Sequence, residues 1–332
     1  MGSFKHQKFY ELQNVGDSED KISNLPDCIL HHILSFLSTK DAVATCILST
    51  RWKYLWTSVP NIDFDDSLLY LSKVNAWYPL EVTCFMNFVE RVLLLRDASI
   101  MKRFRLSCRV CFSSSRVHAW VSAAIKHNVE ELDLCLFVEK CFMLPHCVFD
   151  CESLTVVKIE MNCVLELPTC ISFPCLRTLH LSLVTFPGDK STQKLFSGCP
   201  VLQELAILDC DWMNLNSISI SLPTLKSFII DDLPSFDSND DLHGCEIKVE
   251  AANLVSLKYI GYLSNEISLY NLSSLVDASV HIPVTRERQR VVAFRTLKLL
   301  RGLHNACSVR ISNGAIEIMC YIISQYFQIY PT

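Results

Sequence analysis

Seventeen cysteines and ten histidines are the residues of this 332-residue chain best suited to do chemistry. Cys108-Arg109-Val110-Cys111 has the C-x-x-C spacing of zinc and thiol-redox sites. A zinc site needs a second pair in register, and the sequence holds none. A strand here would also aim residues three apart at opposite faces, so the two thiols could not share a metal. Cys135, Cys141, Cys147 and Cys151 form a second, irregularly spaced cluster. His118, His127, His146 and His180 lie in the same region, so an enzyme using a Cys/His pair is one reading. It ranks below small buried thiols and packing or surface histidines. Glycine numbers only eight. No G-x-G-x-x-G, no G-x-x-x-x-G-K-[ST] and no G-x-S-x-G occurs, so no phosphate-cradling loop or nucleophile elbow is visible. The expectation is a chain with no catalytic residues, no metal and no cofactor.

Half of the residues are apolar and a fifth charged, which is a globular composition. A net charge of -5 gives no electrostatic reason to expect nucleic acid. The polar opening over 1–18 reads as a disordered tail without the order of a signal peptide. Met1-Gly2 would suit myristoylation, but His6 stands where that motif wants Ser or Thr. The apolar run from Ile316 to Tyr330 is interrupted by Glu317 and Gln325 and is too short for a bilayer, so no membrane is expected. An odd cysteine count without a secretory signal fits reduced thiols in the nucleus or cytoplasm.

Two kinds of element must position these residues. The first is a helical module over 19–62. Leu25-Pro26-Asp27 opens a helix that carries Ile29, Leu30, Ile33, Leu34 and Leu37 at helical spacing. Pro26 suits its first position. Thr39 is expected to cap a second helix, with Val43 and Ile47 apolar. Ser49-Thr50-Arg51-Trp52 opens a third, where Trp52, Leu55 and Trp56 share a face. So small a module cannot bury so much apolar surface alone, which argues for a covering partner.

The second is a repeat, apolar-x-x-apolar-x-apolar. It runs as Val129, Leu132, Leu134; Leu154, Val157, Ile159; Leu176, Leu179, Leu181; Leu202, Leu205, Ile207. It goes on as Leu225, Phe228, Ile230; Leu254, Leu257, Tyr259; Leu275, Ala278, Val280. Met101, Phe104, Leu106 and Ala306, Val309, Ile311 are weaker copies. Starts recur about every 21 to 31 residues, close to the range of leucine-rich repeats. Asn162 and Cys210 fall where such repeats use a side chain to satisfy turn backbone. One strand per repeat cannot bury itself, but a stack can, so the fold class is α/β: three helices, then an irregular solenoid with a parallel β-sheet. The expected division is a connector and N-terminal cap over 63–128, repeats over 129–314 and a C-terminal segment over 315–332. Within it, Cys84 to Leu95 and His118 to Ile125 read as helices, and Phe236 to Gly244 as a polar loop. Val291 to Leu303 reads as a helix with Phe294, Leu297, Leu300 and Leu303 inward and Arg286, Arg288, Arg290, Arg295, Lys298 and Arg301 in its solvated basic surroundings. Residues between the inward strand positions should point out along the concave face: Glu131, Asp133, Lys158, Glu160, His180, Glu204 and Lys258. They are the candidate substrate surface.

Residues 22–60 resemble an F-box. The matching residues are Leu25-Pro26-Asp27, Ile29-Leu30, Ile33 to Leu37, Lys40 to Val43, Leu48-Ser49, Arg51-Trp52 and Leu55-Trp56. FMNFVERVLLLRD and VHAWVSAAIKHNVEELDL are similar to the region beyond the F-box in plant F-box/leucine-rich-repeat proteins. Many of those carry a further FBD domain, of which Ile311 to Thr332 shows no clear copy. The resemblance implies a substrate receptor of an SCF-type (Skp–cullin–F-box) ubiquitin ligase. Its partners would be a Skp-type adaptor, through it a cullin, and a target protein on the repeats. Adaptor contact would fall first on Leu25 and Pro26, then on Ile29, Leu30, Ile33, Leu37, Val43, Leu48 and Trp52. The alternative is a leucine-rich-repeat scaffold whose F-box-like segment is a structural cap.

Overall fold

The computed structural model describes residues 22, 24–67, 79–97, 99–109, 113–137, 142–233, 244–284 and 289–329. The tail expected over 1–18, Met1-Gly2, Cys111, Cys141, Arg286, Arg288 and all of the polar insert except Gly244 lie outside the described residues.

The N-terminal module is helical. Pro26 sits just ahead of α1 (Asp27–Leu34), one position earlier than expected, and its carbonyl accepts from the amides of Ile29 and Leu30. Ser38, not Thr39, caps α2 (Thr39–Ala44): Ser38 Oγ accepts from the Asp41 amide at 3.1 Å. Thr39 turns inward instead, and its hydroxyl accepts from the Asp63 amide at 2.7 Å. The third segment is tight 3-10 helix over Trp52–Ser58, preceded by another 3-10 turn over Thr45–Ile47. The three-residue turn is a usual length for that tighter form, and the seven-residue run is long for it.

Thirteen strands are described: β1 (Asn61–Asp65), β2 (Arg103–Cys108), β3 (Glu131–Leu136), β4 (Val156–Met161), β5 (Thr178–Ser182), β6 (Glu204–Leu208), β7 (Ser217–Ser221), β8 (Ser227–Asp232), β9 (Glu246–Glu250), β10 (Ser256–Gly261), β11 (Glu266–Tyr270), β12 (Asp277–His281) and β13 (Ser308–Ile311). Ten of them form one parallel sheet in the order β1-β2-β3-β4-β5-β6-β8-β10-β12-β13. The repeat copies stand in register across it: Phe104, Leu132, Val157, Leu179, Leu205, Phe228, Leu257, Ala278 and Val309 form one rung. From β1 to β12 the strands of this sheet turn one face inward on the core.

Ile62-Asp63-Phe64 alternates in sequence as a short strand does, but sequence reading did not recognise it as a copy of the repeat. Val59, Ile62 and Phe64 are all buried, and β1 pairs in register with β2. The backbone repeats too. Lys102, Glu130, Thr155, Arg177, Gln203, Lys226 and Val255 each offer a carbonyl to two successive amides of the next repeat. Pro60 does the same for Lys102 and Arg103. The chain leaving the helical module is therefore the first rung of the sheet.

A second, three-stranded parallel sheet has the order β11-β9-β7. It replaces helices on the back of the later repeats. Ser217-Ile218-Ser219-Ile220-Ser221 shows why: strict alternation places Ile218 and Ile220 in the core and three serines outside. One edge of this sheet meets α5 (Asp189–Ser197). There the Gln193 amide donates to the Ser219 carbonyl and accepts from the Ser219 N–H, as a neighbouring strand would. α3 (Pro79–Leu95) and α4 (Ser114–Lys126) pack together on the earlier repeats. α6 (Gln289–Arg301) and α7 (Asn313–Ile329) pack together at the C-terminal end.

The inward face of α6 differs from the expected one. Val292, Arg295, Thr296, Leu299 and Leu303 face in, while Phe294 is exposed. Arg295, expected on a solvated face, is buried and donates to the carbonyls of Leu263 at 2.8 Å and Ser264 at 2.5 Å. Among the described residues no helix is long and apolar enough to cross a membrane.

Candidate functional site

The helical module has an inner and an outer apolar surface. Inside, Leu30, Leu34, Ala42, Trp52, Leu55 and Trp56 join the core. This corrects two adaptor-contact candidates. Leu30 and Trp52 are 0% and 4% exposed, so they hold the module together and present no side chain to a partner. Leu25 and Val43 are half-buried against the same core. Pro26, Ile29, Ile33, Leu37 and Leu48 are exposed. Phe36, Ile47 and Tyr54, not among the adaptor-contact candidates, are exposed more than Ile29, Ile33, Leu37 and Leu48, Ile47 at 84%. Large apolar side chains crowded on the outside of so small a unit mark an interaction surface.

Polar contacts set the shape of that surface. The Arg51 guanidinium donates to the Leu25 carbonyl at 2.5 Å and to Asp27 Oδ1 at 2.6 Å. It thereby pins the entry to α1 against the start of the third helix. The same hydrogen bond holds the Asp27 carboxyl below its ordinary range. Ser38 Oγ also donates to Asp41 Oδ2 at 2.8 Å, which fixes the start of α2 next to Leu37.

All seven candidates on the long sheet reach its outer face, fully or partly exposed. Pairing brings Asp133, Lys158 and His180 side by side on β3, β4 and β5. Glu131 and Glu204 lie in the row below, Glu160 in the row above. Lys258 continues the middle row but is separated from His180 by Ala206 and Ile229. The structure adds Asp63 and Arg105 to the row on one side, Ser279 and Arg310 on the other. The simple rule used in sequence, residues between inward positions, gives Arg105, Ser279 and Arg310; Asp63 lies in a copy of the repeat that the rule did not include.

Electrostatics divides this face. On β1 to β3 both arginines of the face are paired with carboxylates. Arg105 reaches Asp63 at 2.9 Å, Asp65 at 3.2 Å and Asp133 at 3.9 Å, and Arg103 reaches Asp133 at 3.4 Å. On β5, partial burial and the charge of Lys158 push the His180 imidazole below its ordinary pKa. On β6 and β8 the row turns apolar at Ala206 and Ile229.

Six of the described thiols, Cys108, Cys135, Cys151, Cys199, Cys210 and Cys245, belong to the interior. Burial pushes Cys199, Cys210 and Cys245 up to about 12, and Cys108 higher still, so all four are protonated at neutral pH. Cys210 Sγ donates to the carbonyls of Leu181 and Leu208 and so satisfies turn backbone, as its spacing suggested. Among the described residues no three His, Cys, Asp or Glu are placed to hold a metal ion.

Comparison with known proteins accounts for this layout. Residues 22–64 match the family model of the F-box domain. Residues 117–300 match the leucine-rich repeats of FBD-associated F-box protein At5g56370. F-box/LRR-repeat protein At4g14103 of Arabidopsis thaliana is 35% identical over 275 residues, covering 81% of this chain and 69% of that one. The chain belongs to the F-box/leucine-rich-repeat family. F-box/LRR-repeat protein At3g59190 of the same plant is 31% identical over 92% of this chain and 82% of its own length. Putative F-box protein At1g58310, also from Arabidopsis thaliana, is 31% identical over 96% of this chain but only 65% of its own length. The chain thus spans about two thirds of that relative. The F-box match ends at Phe64, inside β1, so the F-box includes the first strand of the repeat sheet.

Proposed function

We propose that this F-box/leucine-rich-repeat chain is the substrate-recognition subunit of an SCF-type ubiquitin ligase. Its F-box docks on a Skp-type adaptor bound to a cullin, and the outer face of the long sheet holds a target protein. It contributes no catalytic group; its effect is proximity, which raises the local concentration of target lysines near ubiquitin carried by another subunit. One observation carries this reading. A module that only caps a solenoid needs a polar outer face, whereas this one exposes Ile29, Ile33, Phe36, Leu37, Ile47 and Leu48. The free thiols fit the reducing nucleus or cytoplasm that belongs to the same proposal.

Affinity for a purified Skp-type adaptor tests it, measured on the full chain by calorimetry. Wild type should bind, and Leu25→Ala with Pro26→Ala should weaken binding by about 2 kcal/mol, a typical interface hot-spot loss. Ile47→Ser with Leu48→Ser should weaken it similarly while the thermal midpoint stays put. A folded wild-type chain that ignores the adaptor would leave the cap reading standing.

A further inference from the structure

The C-terminal end of the outer face has a hollow of about 240 Å³ over β10, β12 and β13. Its walls are Ser256, Lys258, Asp277, Ser279 and Arg310, with Leu257 at the base. Lys258, Ser279 and Arg310 stand directly side by side on three adjacent strands. Neighbouring strands lie about 4.8 Å apart, so the two cations rise roughly 10 Å apart with a hydroxyl between them. Both are exposed, long and flexible enough to converge on one group above Ser279.

These two cations line one hollow and, like Lys158 elsewhere on the face, make no ion pair among the described residues. At the opposite end Arg103 and Arg105 are held by Asp63, Asp65, Glu131 and Asp133. Asp277 offsets one of the two charges, which leaves one positive charge in surplus together with the hydroxyl donors of Ser256 and Ser279. Between the end with paired arginines and this hollow lies the apolar stretch of Ala206 and Ile229.

We infer that this hollow captures an oxyanion carried on an extended segment of the target polypeptide. Lys258 and Arg310 clamp the anion from two sides, and the Ser279 hydroxyl donates to it from below. Arg310 supplies a planar fork that engages two oxygens, while Lys258 acts as a point charge. The neighbouring apolar stretch then takes an uncharged residue of the same segment. The inference rests on the reading that the repeats hold a target, and it names the chemistry they select. A phosphorylated side chain and a glutamate share that chemistry.

A degenerate peptide array with one fixed central residue, phosphoserine, glutamate or serine, probed with the full-length chain, tests this. The phosphoserine or glutamate arm should exceed the serine arm by about tenfold, the worth of one good charge-assisted contact. Lys258→Ala with Arg310→Ala should abolish that preference. Lys158→Ala, on the same row but outside the hollow, should keep it. Equal signal in all three arms, or equal loss in the Lys158 variant, overturns the inference. So does competition by inorganic phosphate without any preference among peptides, which would mean a free-anion site. Adaptor affinity measured on the same preparations reports separately on the ligase reading, since the hollow and the F-box lie at opposite ends of the sheet.

Discussion

Asp232, at the end of β8, is held under tension by its surroundings. Burial and the neighbouring carboxylates of Asp209 and Asp231 push its pKa up to about 7, against the opposing pull of Arg295. Gly261 lets this happen. Its φ of +151° suits glycine, and a Cβ there would meet Tyr259 Oη at 2.7 Å and the Asp232 Cβ at 2.8 Å. The unfolded carboxyl titrates near 3.8, so the folded chain holds a proton that the unfolded chain releases across the window from about 4 to 7. A raised carboxyl pKa therefore favours the folded state at the acid end, and that contribution fades as pH rises through 7. The thermal midpoint of the wild type should accordingly fall between about pH 5.5 and pH 8, and Asp232→Asn should remove most of that fall. An unchanged slope in the variant would show that Asp232 does not carry it. At the F-box, residue burial also sorts candidates in a way no pattern could. Leu30 and Ile29 are adjacent and equally apolar, yet one is core and the other surface.

At the scale of elements, α3 ties the F-box to the repeats. Arg96, just past the end of α3, is buried and donates to the Val59 carbonyl at 2.6 Å. Asp97 accepts from the Ser58 hydroxyl. Two consecutive residues thus hold the two that lead from the helices of the F-box into β1. Arg96→Ala would leave the Val59 carbonyl without that donor and should lower stability by about 2 kcal/mol, the usual worth of a hydrogen bond to a charged group. Urea unfolding measures it, and a loss under about 0.5 kcal/mol, typical of a surface change, would refute the clamp. Such ties explain where sequence reading succeeded and where it stopped. The repeat register was legible from β2 to β13 of the long sheet, because a strand with one buried face repeats its apolar positions at fixed spacing. The copy at Val59, Ile62 and Phe64 was hidden, because Pro60 read as the end of a helical module. The small sheet was hidden too: SISIS, EIKVE and EISLY are too short to tell from loop without knowing what they pack on. The face of α6 was misassigned around Phe294, since Arg295 counts as polar in any pattern yet lies inward to satisfy two carbonyls. The outer face of the F-box could be expected in kind but not residue by residue, because helical periodicity does not say which side the repeats occupy.

Across the whole molecule, each repeat touches mainly its neighbours, so stability should be local along the stack. The F-box is the exception to being a separate body, because β1 belongs both to it and to the sheet. Phe64 marks the join: it is 1% exposed and its ring packs edge-on against Phe88 of α3 and Phe104 of β2. Phe64→Ala should cost about 3–5 kcal/mol. It should raise amide exchange in α1, α2 and β1 to β3 together and leave β10 to β13 protected. Ala278→Asp, a charge placed in the core under β12, should do the reverse: it opens β10 to β13 and leaves the F-box amides unchanged. Native-state hydrogen exchange read by mass spectrometry separates these outcomes. If Phe64→Ala opened the F-box alone, the module would be a hung domain after all. If Ala278→Asp opened the entire chain, the stack would be one cooperative unit, with the adaptor end coupled directly to the hollow at β13. The local outcome has a functional meaning: targets engaged at the C-terminal strands would leave adaptor affinity untouched, so recognition and docking could vary independently on one sheet.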